Sequence, residues 1–166
     1  MSDSTKVGNA GEHLVMAELL YRKFHAFRAD RANPAFDISV YKLGQHSLLR
    51  VKTTTAQNVQ WTAKQDGTDF GTVFLEMTER DFVALVDLRN GVRGAIIYII
   101  PTKVLNEELK LCYDHWHKYS RRNGMPRKRT QHRAFCLDGK EKETDIGYGY
   151  AEWFTEQGFR DAWGQL

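Results

Sequence analysis

The sequence predicts an α/β domain in which helices flank a central β-sheet. Apolar residues recur at helical spacing over residues 7–24 and again after Pro101. Between these two patterns, residues 82–88 and 94–100 form strand-like runs joined by an Asn-Gly turn. The chain has 166 residues, of which 42% are hydrophobic and 27% are charged, and these values are typical of one compact domain spanning residues 1–166.

The N-terminal half is predicted to contain one helix followed by short strands. We expect the helix over residues 7–24 to be largely buried, because its apolar residues cover two adjacent stripes. Alternating apolar and polar residues then predict strands at 26–29, 36–41 and 48–54, with a turn at 43–46 between the last two. The polar residues 56–69 predict only a weak strand followed by a loop.

The C-terminal half begins with the predicted hairpin, where Asn90 and Gly91 are expected to supply positive φ angles. A helix capped by Thr102 is expected to reach about residue 120 and to lead into a basic loop. Residues 132–137 predict a further strand. The aromatic tail over residues 150–166 predicts a short helix docked on the core.

Composition and motif content exclude several classes of protein. With 13 Gly, 3 Pro and no low-complexity tract, the chain is neither collagen-like nor largely disordered. The longest apolar run, residues 95–100, is far shorter than the roughly 20 residues of a membrane-spanning helix, so we expect no membrane partner. The first residues lack an export signal, which favours a cytoplasmic protein with reduced Cys112 and Cys136. No motif for nucleotide hydrolysis, dinucleotide binding or serine-hydrolase chemistry occurs.

One predicted strand pair concentrates charged residues on a single face. In residues 36–41 the two-residue alternation places Asp37 on the polar face of its strand. In residues 48–54 the same alternation places Arg50 and Lys52 on the polar face of the next strand. In a hairpin, Asp37 lies opposite Lys52, or opposite Arg50 if the register shifts by two residues. Either register brings the three charged side chains to the same face. The simpler explanation, an ordinary cross-strand ion pair, stays open at this point.

A carboxylate and an amine that converge on one face suit phosphodiester hydrolysis. Carboxylate oxygens bind Mg²⁺, and a cation orients the attacking water or offsets charge in the transition state. Glu12 on the first helix borders an apolar stripe, where an unpaired charge is costly, and it can reach the same site.

Three stretches resemble motifs of the PD-(D/E)XK nuclease superfamily, in particular its small bacterial and homing-endonuclease-like members. They are GEHLVMAELL at residues 11–20, FDI at 36–38 and RVKTT at 50–54. The resemblance implies a restriction-endonuclease-like fold, with a mixed central β-sheet flanked by helices. It also implies a metal-dependent endonuclease that hydrolyses DNA and forms a homodimer or higher homo-oligomer.

The same resemblance assigns roles to individual residues. It implies that Glu12, Asp37 and Lys52 are catalytic, and that the two carboxylates bind Mg²⁺, with Mn²⁺ as an alternative. Arg50 departs from the pattern, because the superfamily has an acidic residue or Gln two positions before the lysine. A guanidinium does not bind Mg²⁺ and repels it.

Two arrangements would keep such a site active. Arg50 would turn outward to hold a DNA phosphate, or a carboxylate elsewhere, such as Glu76, would join the metal ligands. Otherwise the chain is a pseudo-nuclease that binds nucleic acid, or a protein-interaction module.

A second group of residues is expected to contact nucleic acid. Residues 121–133 include six Lys or Arg and no acid, which suits a loop that follows a nucleic-acid backbone. A solvated surface loop explains the segment equally well, because no aromatic residue is interleaved in it. Trp61 is a further candidate for a substrate contact. The candidate nucleic-acid-binding residues are Arg50, Thr54, Arg121, Arg122, Arg127, Lys128 and Arg129.

Overall fold

A computed structural model describes residues 3–30, 35–66, 69–70, 72–75, 77–118, 124–139 and 149–166. Within these ranges the helices are α1 (Asp3–Tyr21), α2 (Thr102–Lys118) and α3 (Tyr150–Glu156). The strands are β1 (His25–Arg28), β2 (Ile38–Lys42), β3 (Gln45–Thr54), β4 (Asn58–Thr62), β5 (Gln65–Asp66), β6 (Asp69–Phe70), β7 (Asp81–Asp87), β8 (Ile96–Pro101) and β9 (His132–Cys136).

The centre of the fold is a five-stranded sheet with the strand order β1-β2-β3-β7-β8. Neighbouring strands are antiparallel except β3 and β7, which run parallel with Leu48 opposite Asp81 and Thr54 opposite Asp87. Parallel neighbours require a crossover, and the chain that contains β4, β5 and β6 supplies it. The predicted mixed sheet flanked by helices is therefore confirmed.

The turn between β2 and β3 consists of Leu43 and Gly44 and is shorter than predicted. Both residues have positive φ, 51° and 82°, as in a type I′ turn, whose twist matches that of the flanking strands. Ile38 then pairs with Leu49. Continuing this register by one residue places residue 37 opposite residue 50, which is the shifted alternative of the two predicted registers.

The hairpin of β7 and β8 is confirmed, with Leu85 opposite Tyr98. Its turn differs from the prediction, because Gly91 has a positive φ of 73° and Asn90 does not. A 3-10 turn at Val92–Gly94 completes the connection. The connection is therefore longer than a two-residue hairpin turn, and only one glycine is needed in the left-handed region.

α1 packs across β3 through a narrow stripe. Its buried residues are Gly11, Val15 and Leu19, spaced four apart, whereas Leu20 is 56% exposed. The prediction of a largely buried helix is therefore wrong, because only one side of α1 faces the sheet. A Cβ on Gly11 would lie 1.9 Å from Oγ1 of Thr53, so glycine allows the helix to approach the strand closely.

The two faces of the central sheet carry separate hydrophobic cores. On the face covered by α1, the buried side chains include Val15, Leu19, Ile38, Leu49, Ala84, Ile99 and Trp163. On the face covered by α2 and α3, they include Val83, Leu85, Tyr98, Ile100, Leu105, Leu109 and Phe154. β7 is buried along its whole length, as expected for a central strand covered on both faces.

The remaining elements support the second core. β9 confirms the predicted strand and pairs with β4, and α3 confirms the predicted short helix, with Phe154 fully buried. Thr102 begins α2, but its hydroxyl is buried and has no hydrogen-bond partner in the described ranges, so the predicted side-chain cap is wrong. Cys112 and Cys136 are both buried and do not form a disulfide with each other.

The described helices also answer the question of membrane crossing. None of them combines the length and the apolar character that crossing a bilayer requires.

Residues 124–131 are irregular, as predicted for this part of the basic loop, whereas residues 119–123 lie outside the described residues.

Candidate functional site

β2 and β3 separate at Asp37, which leaves an opening beside β3. Ile38 and Leu49 are the last paired residues of the two strands. At the next residue, the Asp37 N–H donates to the Leu49 carbonyl at 2.8 Å, and the Asp37 carbonyl accepts from the Ala29 N–H at 2.8 Å. β2 thus provides no strand partner for Val51, and the Val51 N–H instead donates to Oδ2 of Asp37 at 2.6 Å. The Asp37 carboxylate takes the place of a neighbouring strand and is fixed in the opening.

This opening is a pocket of about 230 Å³. Alternate residues of β3, Arg50 and Lys52, line it together with Asp37. The Nζ atom of Lys52 lies 5.3 Å from the centre of the Trp61 ring. The full set of lining residues is Phe36, Asp37, Arg50, Val51, Lys52, Trp61, Phe74 and Val83. The structure therefore brings together three of the residues predicted for the site and places Trp61 beside them.

Glu12 reaches this region from α1. Its carboxylate forms an ion pair with Arg28 of β1, and the two side chains are 24% and 35% exposed. The neighbouring Gly11 holds this turn of the helix against Thr53 of β3. Glu12 is not one of the residues that line the pocket, but its charge acts on Asp37.

The electrostatics of Asp37 are those of a partly buried carboxylate beside another carboxylate. Burial raises the pKa of Asp37 above its ordinary value, and the negative charge of Glu12 raises it further. The Val51 hydrogen bond and the charges of Arg50 and Arg28 act in the opposite direction without outweighing burial. A cation placed between the two carboxylates would relieve their repulsion and lower the pKa of Asp37.

Lys52 is held in the pocket without a charged partner among the described residues. Burial lowers the pKa of Lys52, and no carboxylate in the described ranges contributes to that shift. Lys52 is also absent from the charges that act on Asp37. An ordinary cross-strand ion pair therefore does not explain the placement of these two residues. The amine keeps its hydrogen-bond donors available for a ligand.

Arg50 lines the pocket but turns towards buried groups of the protein. Its Nη1 atom lies 3.9 Å from Oδ2 of Asp81, and its guanidinium carbon lies 5.2 Å from the centre of the Phe74 ring. The side chain is 20% exposed, and Nη1 is buried without a hydrogen-bond partner in the part of the chain that the structure describes. Arg50 is thus held inward, with part of its donor capacity unused.

The other predicted nucleic-acid contacts fall into different surroundings. Thr54 is buried, and its hydroxyl donates to the Ala56 carbonyl at 2.9 Å and accepts from the Ala56 N–H at 3.0 Å. This hydroxyl is therefore already used inside the protein. Arg127 is partly buried, whereas Lys128 and Arg129 are exposed. Three residues lie outside the described residues, namely Glu76, Arg121 and Arg122.

Sequence reasoning missed Arg28, Phe74 and Asp81. The pairing of Arg28 with Glu12 depends on how β1 and α1 meet, and no local pattern specifies that geometry. Asp81 offered a usable signal, because the sequence places it directly before an apolar run that ends at Asp87. The structure buries it, with 4% of its surface exposed. Its carboxylate accepts hydrogen bonds from the Thr78 N–H at 3.2 Å and the Thr78 hydroxyl at 3.0 Å.

The described residues offer few protein ligands for a metal ion. In the described part of the chain, no three His, Cys, Asp or Glu side chains lie close enough to hold a metal ion. Mg²⁺ is usually bound through one or two carboxylates, with water and substrate phosphates as the other ligands. Asp37 and Glu12 are the carboxylates available here, although Glu12 is already paired with Arg28 and the charges of Arg28 and Arg50 oppose a cation.

Comparison with family models finds no match, and neither does comparison with curated proteins. Among solved structures, the chain is similar to the bacterial homing endonuclease I-Ssp6803I, with 12% sequence identity and a TM-score of 0.49. The match covers 99% of this chain and 91% of that protein. Membership of the PD-(D/E)XK superfamily stays a prediction.

Proposed function

We propose that the chain is a metal-dependent endonuclease that hydrolyses phosphodiester bonds in DNA. The observation that carries the proposal is the opening between β2 and β3, where a fixed carboxylate and a lysine amine face the same pocket. A second carboxylate, Glu12, lies close enough to raise the pKa of Asp37 further than burial alone does.

Each of these residues has a distinct task in the proposed reaction. Asp37 and Glu12 would hold Mg²⁺ or Mn²⁺. When bound, the ion would stabilise the negative charge that develops on the phosphate in the transition state. The Val51 N–H fixes the orientation of the Asp37 carboxylate. Lys52 orients the attacking water and donates hydrogen bonds to the phosphate oxygens. Its partial burial strengthens these interactions, because water screens them less.

Replacing Lys52 with Met tests the proposed chemistry. We expect Lys52→Met to lower Mg²⁺-dependent cleavage of a random-sequence duplex pool by at least about a hundredfold, since a preorganised donor is lost. Binding to the pool in Ca²⁺ should persist. Because burial lowers the pKa of Lys52, its charged form is disfavoured in the folded state, and Met should not reduce stability at pH 7.

A matched control uses the exposed Lys110 of α2, which does not line the pocket. Lys110→Met should cleave at the wild-type rate. Cleavage by Lys52→Met at that same rate would contradict the role of Lys52. A wild type that cleaves nothing in Mg²⁺ would contradict the proposed activity.

A second candidate function is favoured by Arg50. Its positive charge lines the pocket where the ion would bind, so the chain would be a pseudo-nuclease that binds nucleic acid without cleaving it. In the endonuclease, by contrast, Arg50 would have to turn away from Asp81 before it could contact a DNA phosphate, because its unpaired Nη1 atom is buried. Cutting both strands of a duplex would require two sites, and we therefore also propose a homodimer or higher homo-oligomer.

Arg50→Gln separates these two candidates. Removing the positive charge should raise the affinity for Ca²⁺ about tenfold, because repulsion of the ion is relieved. Asp81 keeps its two hydrogen bonds from Thr78, so the fold should persist. Isothermal titration calorimetry measures the affinity in both proteins.

For the endonuclease, wild type already binds Ca²⁺ and cleaves in Mg²⁺, and Arg50→Gln binds the ion more tightly. Wild type that binds no Ca²⁺, together with a variant that gains Ca²⁺ binding, would favour the pseudo-nuclease. Equal Ca²⁺ affinity in the two proteins would show that Arg50 does not oppose the ion.

A further inference from the structure

β4 and β9 form a two-stranded ribbon with a polar outer face. Their pairing places Gln60 opposite Ala134 and Thr62 opposite His132. These four residues and Asn58 are all exposed. The outer face thus presents amide, hydroxyl and imidazole groups, and it carries no acidic side chain.

The inner side chains of the ribbon fix it to the candidate site. Val59 and Phe135 are buried in the core, and the Trp61 ring packs on Phe135 with 5.4 Å between ring centres. The same Trp61 ring lies 5.3 Å from Nζ of Lys52 and lines the pocket. Trp61 therefore joins the ribbon to the edge of the pocket, and the outer face of the ribbon has a set position relative to Lys52.

Gln60 and His132 are oriented by each other across the ribbon. Nε2 of Gln60 lies 2.7 Å from Nδ1 of His132. The contact uses one polar atom of the Gln60 amide and one ring nitrogen of His132. The second polar atom of the Gln60 amide and the Nε2 atom of His132 remain for a ligand in this contact. Groups held in this way lose less conformational entropy when they bind a ligand.

Positive charge lies next to one end of the ribbon. Residues 124–131, which lead into β9, contain Arg127, Lys128 and Arg129 and no acid. Arg127 stacks on Trp116 of α2, with 4.5 Å between its guanidinium carbon and the ring centre. The Thr130 N–H donates to the Tyr113 hydroxyl at 3.0 Å. These contacts hold the segment along α2 and leave Lys128 and Arg129 exposed.

We infer that the β4–β9 ribbon enters the major groove of duplex DNA and reads base edges through Gln60 and His132. The inference rests on the proposed function and adds sequence recognition to it. The major groove is about 12 Å wide and admits a two-stranded ribbon, whose strands lie about 4.8 Å apart. Lys128 and Arg129 contact phosphates, which positions the protein without specifying sequence.

Shape and charge favour DNA over other partners. A-form RNA has a deep, narrow major groove that excludes such a ribbon. An acidic protein would be attracted to residues 124–131, but the outer face of the ribbon offers it no buried aromatic or apolar anchor. Duplex DNA matches both the polar face and the neighbouring cations.

Selection from a random-sequence duplex pool in Ca²⁺, followed by sequencing of the bound DNA, tests the inference. Wild type should enrich a motif. Gln60→Ala should lose the preference at one or two adjacent base pairs by roughly tenfold. Its affinity for unselected duplex should change less than about twofold, because phosphate contacts dominate that binding.

Two control variants separate the recognition of base edges from the contacts to DNA phosphates. Arg129→Ala should enrich the same motif, bind every duplex more weakly and reduce the slope of log affinity against log salt by about 1. Gln157→Ala, which changes an exposed glutamine beyond α3, should match wild type. Double-stranded RNA of the selected sequence should compete at least about tenfold less well than DNA.

The inference is overturned if Gln60→Ala and His132→Ala both enrich the wild-type motif with unchanged strength. It is also overturned if wild type enriches no motif or binds no duplex. The selection in Ca²⁺ does not depend on cleavage. A motif that depends on Gln60 or His132 without cleavage in Mg²⁺ would contradict the endonuclease alone, and cleavage with a motif insensitive to both substitutions would contradict this inference alone.

Discussion

Asp37→Asn is expected to lower Mg²⁺-dependent DNA cleavage by at least about a thousandfold, because the variant loses the central carboxylate of the site. The side chain keeps its shape, and its amide oxygen can still accept the hydrogen bond from the Val51 N–H. The loss would therefore reflect missing charge at the site. Gel analysis of a random-sequence duplex pool in Mg²⁺ and in EDTA measures the effect.

The same variant should be more stable than wild type at neutral pH. Since burial raises the pKa of Asp37 in the folded state, its contribution to stability is fully present below the unfolded pKa and is lost as the pH rises through the folded value. Asn avoids burying a charge, so we expect the free energy of unfolding to rise on the order of 1 kcal/mol at pH 7. The gain should fade in acid, where Asp37 is neutral.

Asp114→Asn is a matched control, because Asp114 is exposed on α2 and does not line the pocket. It should cleave like wild type and show no comparable gain in stability. Cleavage by Asp37→Asn within about tenfold of wild type would contradict the metal-binding role of this carboxylate. Loss of stability at pH 7 would contradict the electrostatic account of the site.

Gly11→Ala is expected to destabilise the protein by about 1 kcal/mol, the net of two opposing effects. Alanine favours a helix over glycine by about 1 kcal/mol. The added methyl group would lie 1.9 Å from Oγ1 of Thr53 and 3.0 Å from its Cβ and Cγ2 atoms. Overpacking of this kind costs about 1–3 kcal/mol and occasionally more, so the clash should outweigh the helix propensity. Chemical denaturation measures the change.

Two further variants isolate the cause. Gly8 lies on the same helix, and a Cβ added there would meet no atom of the described residues within 4 Å, so Gly8→Ala should be neutral or stabilising. Thr53→Ala removes Oγ1, the closest atom, together with Cγ2, and should recover part of the stability lost in Gly11→Ala. If the losses of Gly11→Ala and Thr53→Ala are additive in the double variant, the close contact between α1 and β3 is not the cause.

The secondary structure was predictable where its signal is local. The period of α1, the β7–β8 hairpin and the strand at β9 each depend on neighbours in the sequence, and they lie near their expected positions. The parallel pairing of β3 with β7 was not predictable, because it joins strands separated by three short strands. The extent of the buried face of α1 was also overestimated, since apolar residues such as Leu20 stay exposed.

The candidate site was predictable in its residues and less so in its geometry. Alternation along β3 correctly placed Arg50 and Lys52 on one face, because the two-residue period of a strand is independent of its partner. The hydrogen bond from Val51 to Asp37 arises where β2 stops pairing, and no sequence pattern marks that point. The inward turn of Arg50 depends on Asp81, which lies on a neighbouring strand.

The most direct test of a cation site at Asp37 is equilibrium binding to a random-sequence duplex pool in Ca²⁺ and in EDTA, across a salt series, for wild type and Asp37→Asn. Ca²⁺ takes oxygen ligands like those of Mg²⁺. We predict that Ca²⁺ strengthens wild-type binding at least about tenfold at each salt concentration, and that Asp37→Asn binds equally in both conditions. Wild-type binding that is the same in Ca²⁺ and EDTA, or a Ca²⁺ response that survives in Asp37→Asn, would contradict the proposed site.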